Sequence, residues 1–273
     1  MVYDLVAMAF TSSAVSEEFA LTGAPLGWLL SAALIGIGLG SLFLAPLADR
    51  YGRKTLILAA LAIDLLGLTM SALADSFTEL VRWRVVTGIG VGGILACVTV
   101  VVSEFSNLRF RGLAISIYSA GYGLGASLCG VLAAQFTPAY GWRSIFAIGA
   151  ALTAASLVLT AFALPESVDY LRGRGEHAKV REAARRIGKT GEFEVREAGV
   201  DKQSASITEL FRGPLRATTI RLWIAFSLIT AGFQFANQWT PKLLTEYGLS
   251  AQQGIIGCIM LSFGGTIGSL LFG

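Results

Sequence analysis

The chain has 273 residues, 54% of them hydrophobic and 14% charged, with a mean hydropathy of +0.67 and a net charge of +3. A soluble domain carries about 25% charged residues, so an ordinary water-exposed globule is excluded. The net charge is too small to suggest a nucleic-acid partner, which leaves the placement of the positive charges as the informative quantity.

A membrane-spanning helix needs about 20 mostly apolar residues at a rise of about 1.5 Å each. Eight such segments follow one another, near 3–17, 27–47, 55–74, 81–103, 112–134, 143–164, 220–240 and 253–273. The fold class is therefore all-α membrane protein. The first segment offers only 16 residues before Glu17, about 24 Å of helix. The connections are short except for a polar stretch from Pro165 to about Thr219. Segments 48–55, 104–112 and 165–221 hold 17 of the 21 Lys and Arg residues. The positive-inside tendency places these three stretches in the cytoplasm, and the alternation holds across all eight segments. Pro165 stops the sixth helix. Residues 176–187 then read as a short charged helix at the membrane surface. The expected domains are a six-helix bundle over 1–164, a cytoplasmic linker over 165–219 and the start of a second bundle over 220–273.

Both ends read as cut. Asp4 stands almost at the start of the first helix, and the last helix runs to Gly273. An internal repeat agrees: "GIGLGSLFLA" at 36–45 aligns with "GGTIGSLLFG" at 264–273. Duplicated transporter halves predict such an echo. No secretory signal is visible, because no basic region precedes the first apolar segment.

Ionisable groups inside spans are costly, about 2.5–3.5 kcal/mol at a helix centre, and so are functional candidates by default. Asp4, Asp64 and Arg84 are the clearest. Arg84 precedes a small-residue face made by Gly88 and Gly92, so the fourth helix can pack closely while Arg84 points elsewhere. It reads as a fixed charge facing a cavity and able to hold an anion, or else as an interfacial arginine snorkelling to headgroups. Asp4 reads as a protonatable carboxylate, since burial favours its neutral form. Asp64 lies mid-span and would pair with a neighbouring helix or titrate. On the seventh segment Gln234, Asn237, Gln238 and Trp239 put amides and an indole near one face, suited to a polar ligand with an aromatic part. Interfacial anchoring is the competing reading of Trp239.

Cys97, Cys129 and Cys258 lie in apolar runs without metal or redox spacing and read as small buried hydrophobes. His177, the single histidine, lies in the most polar stretch and reads as a solvated surface residue. "GIGVGG" at 88–93 lies inside a spanning run, not after a strand, so it is no dinucleotide fingerprint. No catalytic residues, no metal site and no cofactor are expected.

"PLADRYGRK" after the second segment resembles the signature of the major facilitator superfamily, G-x-L-A-D-R-x-G-R-K, with Ala45 in place of its first glycine. "LVRWRVVTGIGVGG", "SEFSNLRFRG" and "LPES" also resemble that superfamily's motifs and fall in its order. A narrower resemblance is to the aromatic acid:proton symporters. "YDLVAMAFTSSAVSEEF" is similar to their first helix, with Asp4 at the second aspartate of D-G-x-D; Met1 and Val2 stand where the first aspartate and glycine belong, which an artificial start explains. "LGWLLSAALIGIGLGSLFLAPLADR" and "YGWRSIFAIGA" also fit that family.

The resemblance implies twelve helices in two six-helix halves, eight of them present here, working by alternating access. It implies a monomeric, non-enzymatic carrier in a bacterial inner membrane, surrounded by lipid. Small anionic organic substrates and protons would be its partners, with the proton gradient as driving force. Asp4 would serve substrate or proton coupling. Arg84 would hold the substrate carboxylate or tune the proton site. Asp49, Arg50, Gly52 and Arg53 would form a cytoplasmic gate, with Glu104 pairing to bases there. The alternatives are a sugar or other organic-acid porter of the same superfamily, and a membrane sensor that binds without transporting.

Overall fold

The computed structural model describes residues 2–106, 110–167, 170–171 and 215–271, with the side chains at 49, 104, 105, 215, 269 and 270 outside that description. The expected surface helix at 176–187, with His177, also lies outside the described residues.

Among the described residues there are eight helices: α1 (Val2–Glu18), α2 (Ala24–Tyr51), α3 (Arg53–Ala72), α4 (Phe77–Phe105), α5 (Arg111–Tyr140), α6 (Arg143–Ala163), α7 (Leu215–Glu246) and α8 (Ala251–Leu271). Six of them, α2 to α7, are long and apolar enough to cross a bilayer. α2, α4, α5 and α7 outrun the apolar stretches that announce them. α2, α5 and α7 continue through Pro46, Pro138 and Pro241 near their ends. A proline there removes one ladder bond that neighbouring turns can spare.

The connections are abrupt, and the residues at them explain why. The connection expected over 48–55 shrinks to one residue. Asp49 and Arg50 lie in the last turn of α2, Arg53 and Lys54 open α3, and Gly52 alone breaks the helix at φ +97°. Only glycine takes that backbone readily. At the start of α4, the Ser76 hydroxyl accepts from the Glu79 amide at 3.3 Å, and the Glu79 carboxylate accepts from the Asp75 amide at 3.4 Å. This is a variant of the capping box. With such short links, α1 to α6 alternate in direction, and so do α7 and α8. One end of the bundle carries Arg50, Arg53, Lys54 and Arg111 and is called the basic end below; Glu18, Asp75 and Arg143 mark the far end.

α2 packs most extensively on α4, followed by α3 on α4, α8 on α5, and α3 on α6. The α2–α4 contact depends on glycine. A methyl at Gly36 would strike the Val85 carbonyl, and one at Gly88 would strike the Ala33 carbonyl. The small-residue face read from Gly88 and Gly92 is thus the seam with Gly36 and Gly40 of α2. The echo of that motif on α8 behaves differently: a methyl added at Gly264 or Gly268 would meet no other helix within 4 Å among the described residues.

Buried side chains form two apolar clusters. The larger includes Phe10, Leu29, Leu68, Leu80, Trp142 and Phe146; the smaller, towards the basic end, includes Leu56, Ile57, Leu61, Ile94 and Cys97. Between them lies a polar layer. On α3, Asp64 falls between Leu61 and Leu68. On α4, Arg84 and Thr87 fall between Leu80 and Ile94. On α6, Thr153 falls between Ala150 and Leu157.

Candidate functional site

Asp4 and Arg84 meet in this polar layer, 80 residues apart in sequence. Arg84 Nη1 donates to Asp4 Oδ1, and Arg84 Nη2 donates to the Asp4 main-chain carbonyl at 2.9 Å. The two side chains are 1% and 0% exposed. The guanidinium also sits over the Phe146 ring, 5.4 Å from its centroid, and the Arg84 carbonyl accepts from the Thr87 hydroxyl at 2.9 Å. Arg84 is therefore buried and committed to a partner, not snorkelling to the surface. Asp4 occupies the first turn of α1, where the helix dipole favours a negative charge. Asp4 Oδ2 and Arg84 Nε have no hydrogen-bond partner among the described residues.

Asp64 is fully buried in the same layer. Its Oδ2 accepts from the Thr153 hydroxyl at 3.4 Å, and its Oδ1 has no partner among the described residues. A cavity of about 210 Å³ opens between α1, α3, α5 and α6, lined among others by Tyr3, Asp4, Leu68, Gly125 and Thr153.

The α7 residues are placed at the junction with the first six helices. Asn237 Nδ2 donates to the Tyr122 hydroxyl at 3.3 Å, across to α5. Gln238 Nε2 reaches the Leu30 carbonyl of α2 at 3.5 Å, while its Oε1 has no partner among the described residues. Trp239 packs against Gly27 of α2 and stacks on Phe235, and Gln234 is half-buried. Among the described residues, no hydrogen bond joins this group to Asp4 or Arg84. A second, more open cavity of about 490 Å³ lies at the far end between α1 and the α7–α8 turn, lined by Ser16, Glu17, Lys242, Thr245 and Glu246 among others.

At the basic end, Arg50, Gly52 and Arg53 come together, with a partner that the resemblance only hinted at through "LPES". Glu166 Oε1 accepts from the main-chain N–H of Lys54 at 3.0 Å, capping α3, and also from the N–H of Ser167 at 3.0 Å. Arg53 Nη1 donates to the Ser167 hydroxyl at 2.9 Å, Lys54 Nζ donates to the Ala161 carbonyl at 2.8 Å, and the Tyr170 hydroxyl donates to the Arg50 carbonyl at 3.4 Å. The side chains of Asp49 and Glu104 lie outside the described residues.

The far end has a clamp that sequence reasoning missed. Glu18, closing α1, accepts from the Trp142 indole N–H at 2.6 Å and from Arg143 at 2.7 Å. Arg143 also donates to the Ala74 carbonyl at 2.9 Å and stacks over Trp142 at 4.4 Å. Burial on its own would raise the Glu18 carboxyl, but the hydrogen bonds from Trp142 and Arg143, with the Arg143 charge, hold it below its ordinary value. The available signal was the scarcity of basic residues on that side, with Arg143 directly after Trp142 at the start of α6.

The chain matches the family model of the Major Facilitator Superfamily over residues 1–273. It is 31% identical to the 4-hydroxybenzoate transporter PcaK of Pseudomonas aeruginosa, covering 99% of this chain and 62% of the relative. It is 30% identical to the gallate transporter of Pseudomonas putida, covering 99% and 61%, and 31% identical to the niacin transporter NiaP of Acinetobacter baylyi, covering 90% and 57%. The solved proton:xylose symporter XylE, bound to 6-bromo-6-deoxy-D-glucose, superposes with a TM-score of 0.73 at 18% identity, covering 99% of this chain and 65% of that one, which shows a shared fold. The chain thus spans about three fifths of the length of the curated relatives it matches. The family model and the apolar helices α2 to α7 make it a multi-pass membrane protein. With a full-length family match, relatives that are transporters and not enzymes, and the superfamily's fold, the chain belongs to the major facilitator superfamily.

Proposed function

We propose that this protein works in proton-coupled uptake of small aromatic carboxylates by alternating access. The observation that carries the reading is the Asp4–Arg84 pair, a buried acid and a buried base in contact between α1 and α4. The chemistry follows from their competition. While Asp4 is ionised it holds Arg84. Protonation of Asp4 removes that hold, and Arg84 becomes the strongest available partner for an incoming carboxylate. Proton and anion then enter together as a neutral load, and release of the proton restores the ion pair and expels the anion. The named relatives support the substrate class, since 4-hydroxybenzoate, gallate and niacin each carry a carboxylate on an aromatic ring. Gln234, Asn237, Gln238 and Trp239 are the groups we assign to the substrate's ring and hydroxyls.

In this reading residues 1–164 form one bundle, 165–219 a cytoplasmic linker and 220–273 the start of a second bundle. The protein acts as a monomer in a bacterial inner membrane, with the basic end cytoplasmic. Asp49, Arg50, Gly52, Arg53 and Glu104, with Glu166, would gate that end. The proton gradient replaces any cofactor. Uptake of labelled 4-hydroxybenzoate by cells expressing the protein, with and without a protonophore, tests it, with benzoate, an aliphatic acid and a pentose as comparison substrates. Accumulation confined to aromatic acids and abolished by the protonophore is expected. Preferred uptake of the pentose would instead assign a sugar porter, and saturable binding without accumulation would assign a sensor.

A further inference from the structure

Among the described residues the buried charged side chains are three: Asp4, Asp64 and Arg84. Two acids and one base cannot all be ionised in a low-dielectric layer without leaving an unpaired negative charge, which is costly. The trio therefore keeps one proton. Its resting place follows from geometry. Arg84 makes two hydrogen bonds to Asp4, one to the side chain and one to the main chain. Asp64 has no cationic partner among the described contacts; it has the Thr153 hydroxyl on one oxygen and nothing on the other. The other helices packed on α3 offer no substitute. α2 carries ionisable side chains only in its last turn. On α6 the ionisable side chain is Arg143, at the far end. On α4, Arg82 is exposed and Glu79 stands at the helix start. Tyr3, on α1, donates its hydroxyl to the Ile145 carbonyl at 2.9 Å.

Thr153 does more than bond Asp64: it also lines the cavity of about 210 Å³ that Asp4 lines. A water needs about 10–15 Å³ of such space, and Tyr3, Asp4, Thr153 and Ser156 give it polar partners along an otherwise apolar wall, so a short water chain fits. The geometry points to Asp64 as a proton store for Asp4, emptied and refilled through Thr153 and the cavity. In the transfer, the O–H bond of Asp64 breaks, a proton moves along the Thr153 hydroxyl and cavity water, and an O–H bond forms at Asp4 Oδ2, the oxygen that Arg84 does not hold. The negative charge passes from Asp4 to Asp64, the trio's total charge is unchanged, and Arg84 loses its ionised partner while keeping its bond to the Asp4 main-chain carbonyl. This deepens the proton-coupled reading above and rests on it.

The test is infrared difference spectroscopy of the purified protein in lipid nanodiscs at neutral pH. It follows the carbonyl stretch of a protonated carboxylic acid and its shift in heavy water. The wild type should show one such band. Asp64→Asn should lose it, and Thr153→Val, which keeps Asp64 and removes its hydrogen bond, should shift it. Asp4→Asn should also lose the band without touching Asp64, because Arg84 then needs Asp64 ionised. A wild type without the band overturns the proposal. So does a band that survives in Asp4→Asn, which would make Asp64 an isolated structural acid. If Asp64→Asn fails to fold, the Thr153→Val shift assigns the band in its place. In parallel, proton-driven accumulation should fall at least tenfold in Thr153→Val while substrate exchange without a gradient persists; unchanged accumulation overturns the relay. A wild type that accumulates no aromatic acid refutes the transport reading, and the infrared arm still decides where the proton sits.

Discussion

Arg84 shows what burial does to a charge. Removing one partner of a buried pair leaves the other uncompensated, at a cost of about 3–5 kcal/mol. Arg84→Ala should therefore lower both the melting temperature and the uptake, which confounds structure with mechanism. The double change Asp4→Asn with Arg84→Gln removes both charges together. It should recover most of the melting temperature in detergent and none of the proton-coupled uptake. Recovery of uptake would take the pair out of the mechanism. Glu18 stands at the opposite extreme, since it is 41% exposed. A pair so exposed contributes less than about 1 kcal/mol. Its carboxyl is held below the ordinary 4.5, so the unfolded chain binds the proton more readily. The clamp's stabilisation is thus complete above the ordinary value and is lost as pH falls through the lowered one. Thermal melts from neutral to acidic pH should show a shallower acid decline in Glu18→Gln than in the wild type. Of the two, only Arg84 stood out in the sequence, as a charge inside an apolar run. Which group each would meet did not, because Arg84 finds Asp4, and Trp142 and Arg143 find Glu18, across other helices.

Elements set the next level. α2 and α4 approach through Gly36, Gly40, Gly88 and Gly92, where backbone touches backbone. A methyl there must push two helices apart, and overpacking of this kind costs about 1–3 kcal/mol. Gly88→Ala should lower the melting temperature, whereas Gly121→Ala, with nothing within 4 Å, should leave it level or raise it. The α2–α3 junction makes a second case. Gly52 combines φ +97° with a Glu166 carboxylate 2.6 Å from where a Cβ would stand. Gly52→Ala should cost about 1–3 kcal/mol in backbone strain, and adding Glu166→Ala should relieve only the contact and not the strain. Melting of the two variants side by side checks this. Element number and order were legible from hydropathy, and Gly52 from its place in the motif. The single-residue break was not. Charged residues in "DRYGRK" read as loop by polarity, yet they stand in helical backbone, where Arg53 and Lys54 find hydrogen-bond partners at the exit of α6.

At the level of the molecule, two polar ties and one seam organise the helices. Glu18, Trp142 and Arg143 tie α1 to α6 and to the α3–α4 turn at the far end. Glu166, Ser167, Arg53 and Lys54 tie the exit of α6 to the α2–α3 junction at the basic end. α7 lies against α1 and α8 against α5, and the α7 amides of Asn237 and Gln238 reach Tyr122 of α5 and the Leu30 carbonyl of α2. Among the described residues the polar ties between helices lie mostly within the first six, and the Asn237 and Gln238 contacts reach across to α7. Tyr122→Phe, which removes the α5–α7 contact with Asn237 and little volume, should therefore raise cysteine labelling at Ser16 in a Ser16→Cys background by a few-fold, because α7 is then held less firmly beside α1. Unchanged labelling would show that this bond does not hold α7 in place. The sequence by itself determined the apolar segments and their order, the sites where buried charge is costly, and the superfamily motif. These are local sums over consecutive residues, and hydropathy and spacing report them directly. Only the tertiary structure decided which groups meet: Asp4 with Arg84, Asp64 with Thr153, Glu166 with the start of α3. Those meetings depend on which helices are neighbours, and that is settled by close packing between segments far apart in the chain.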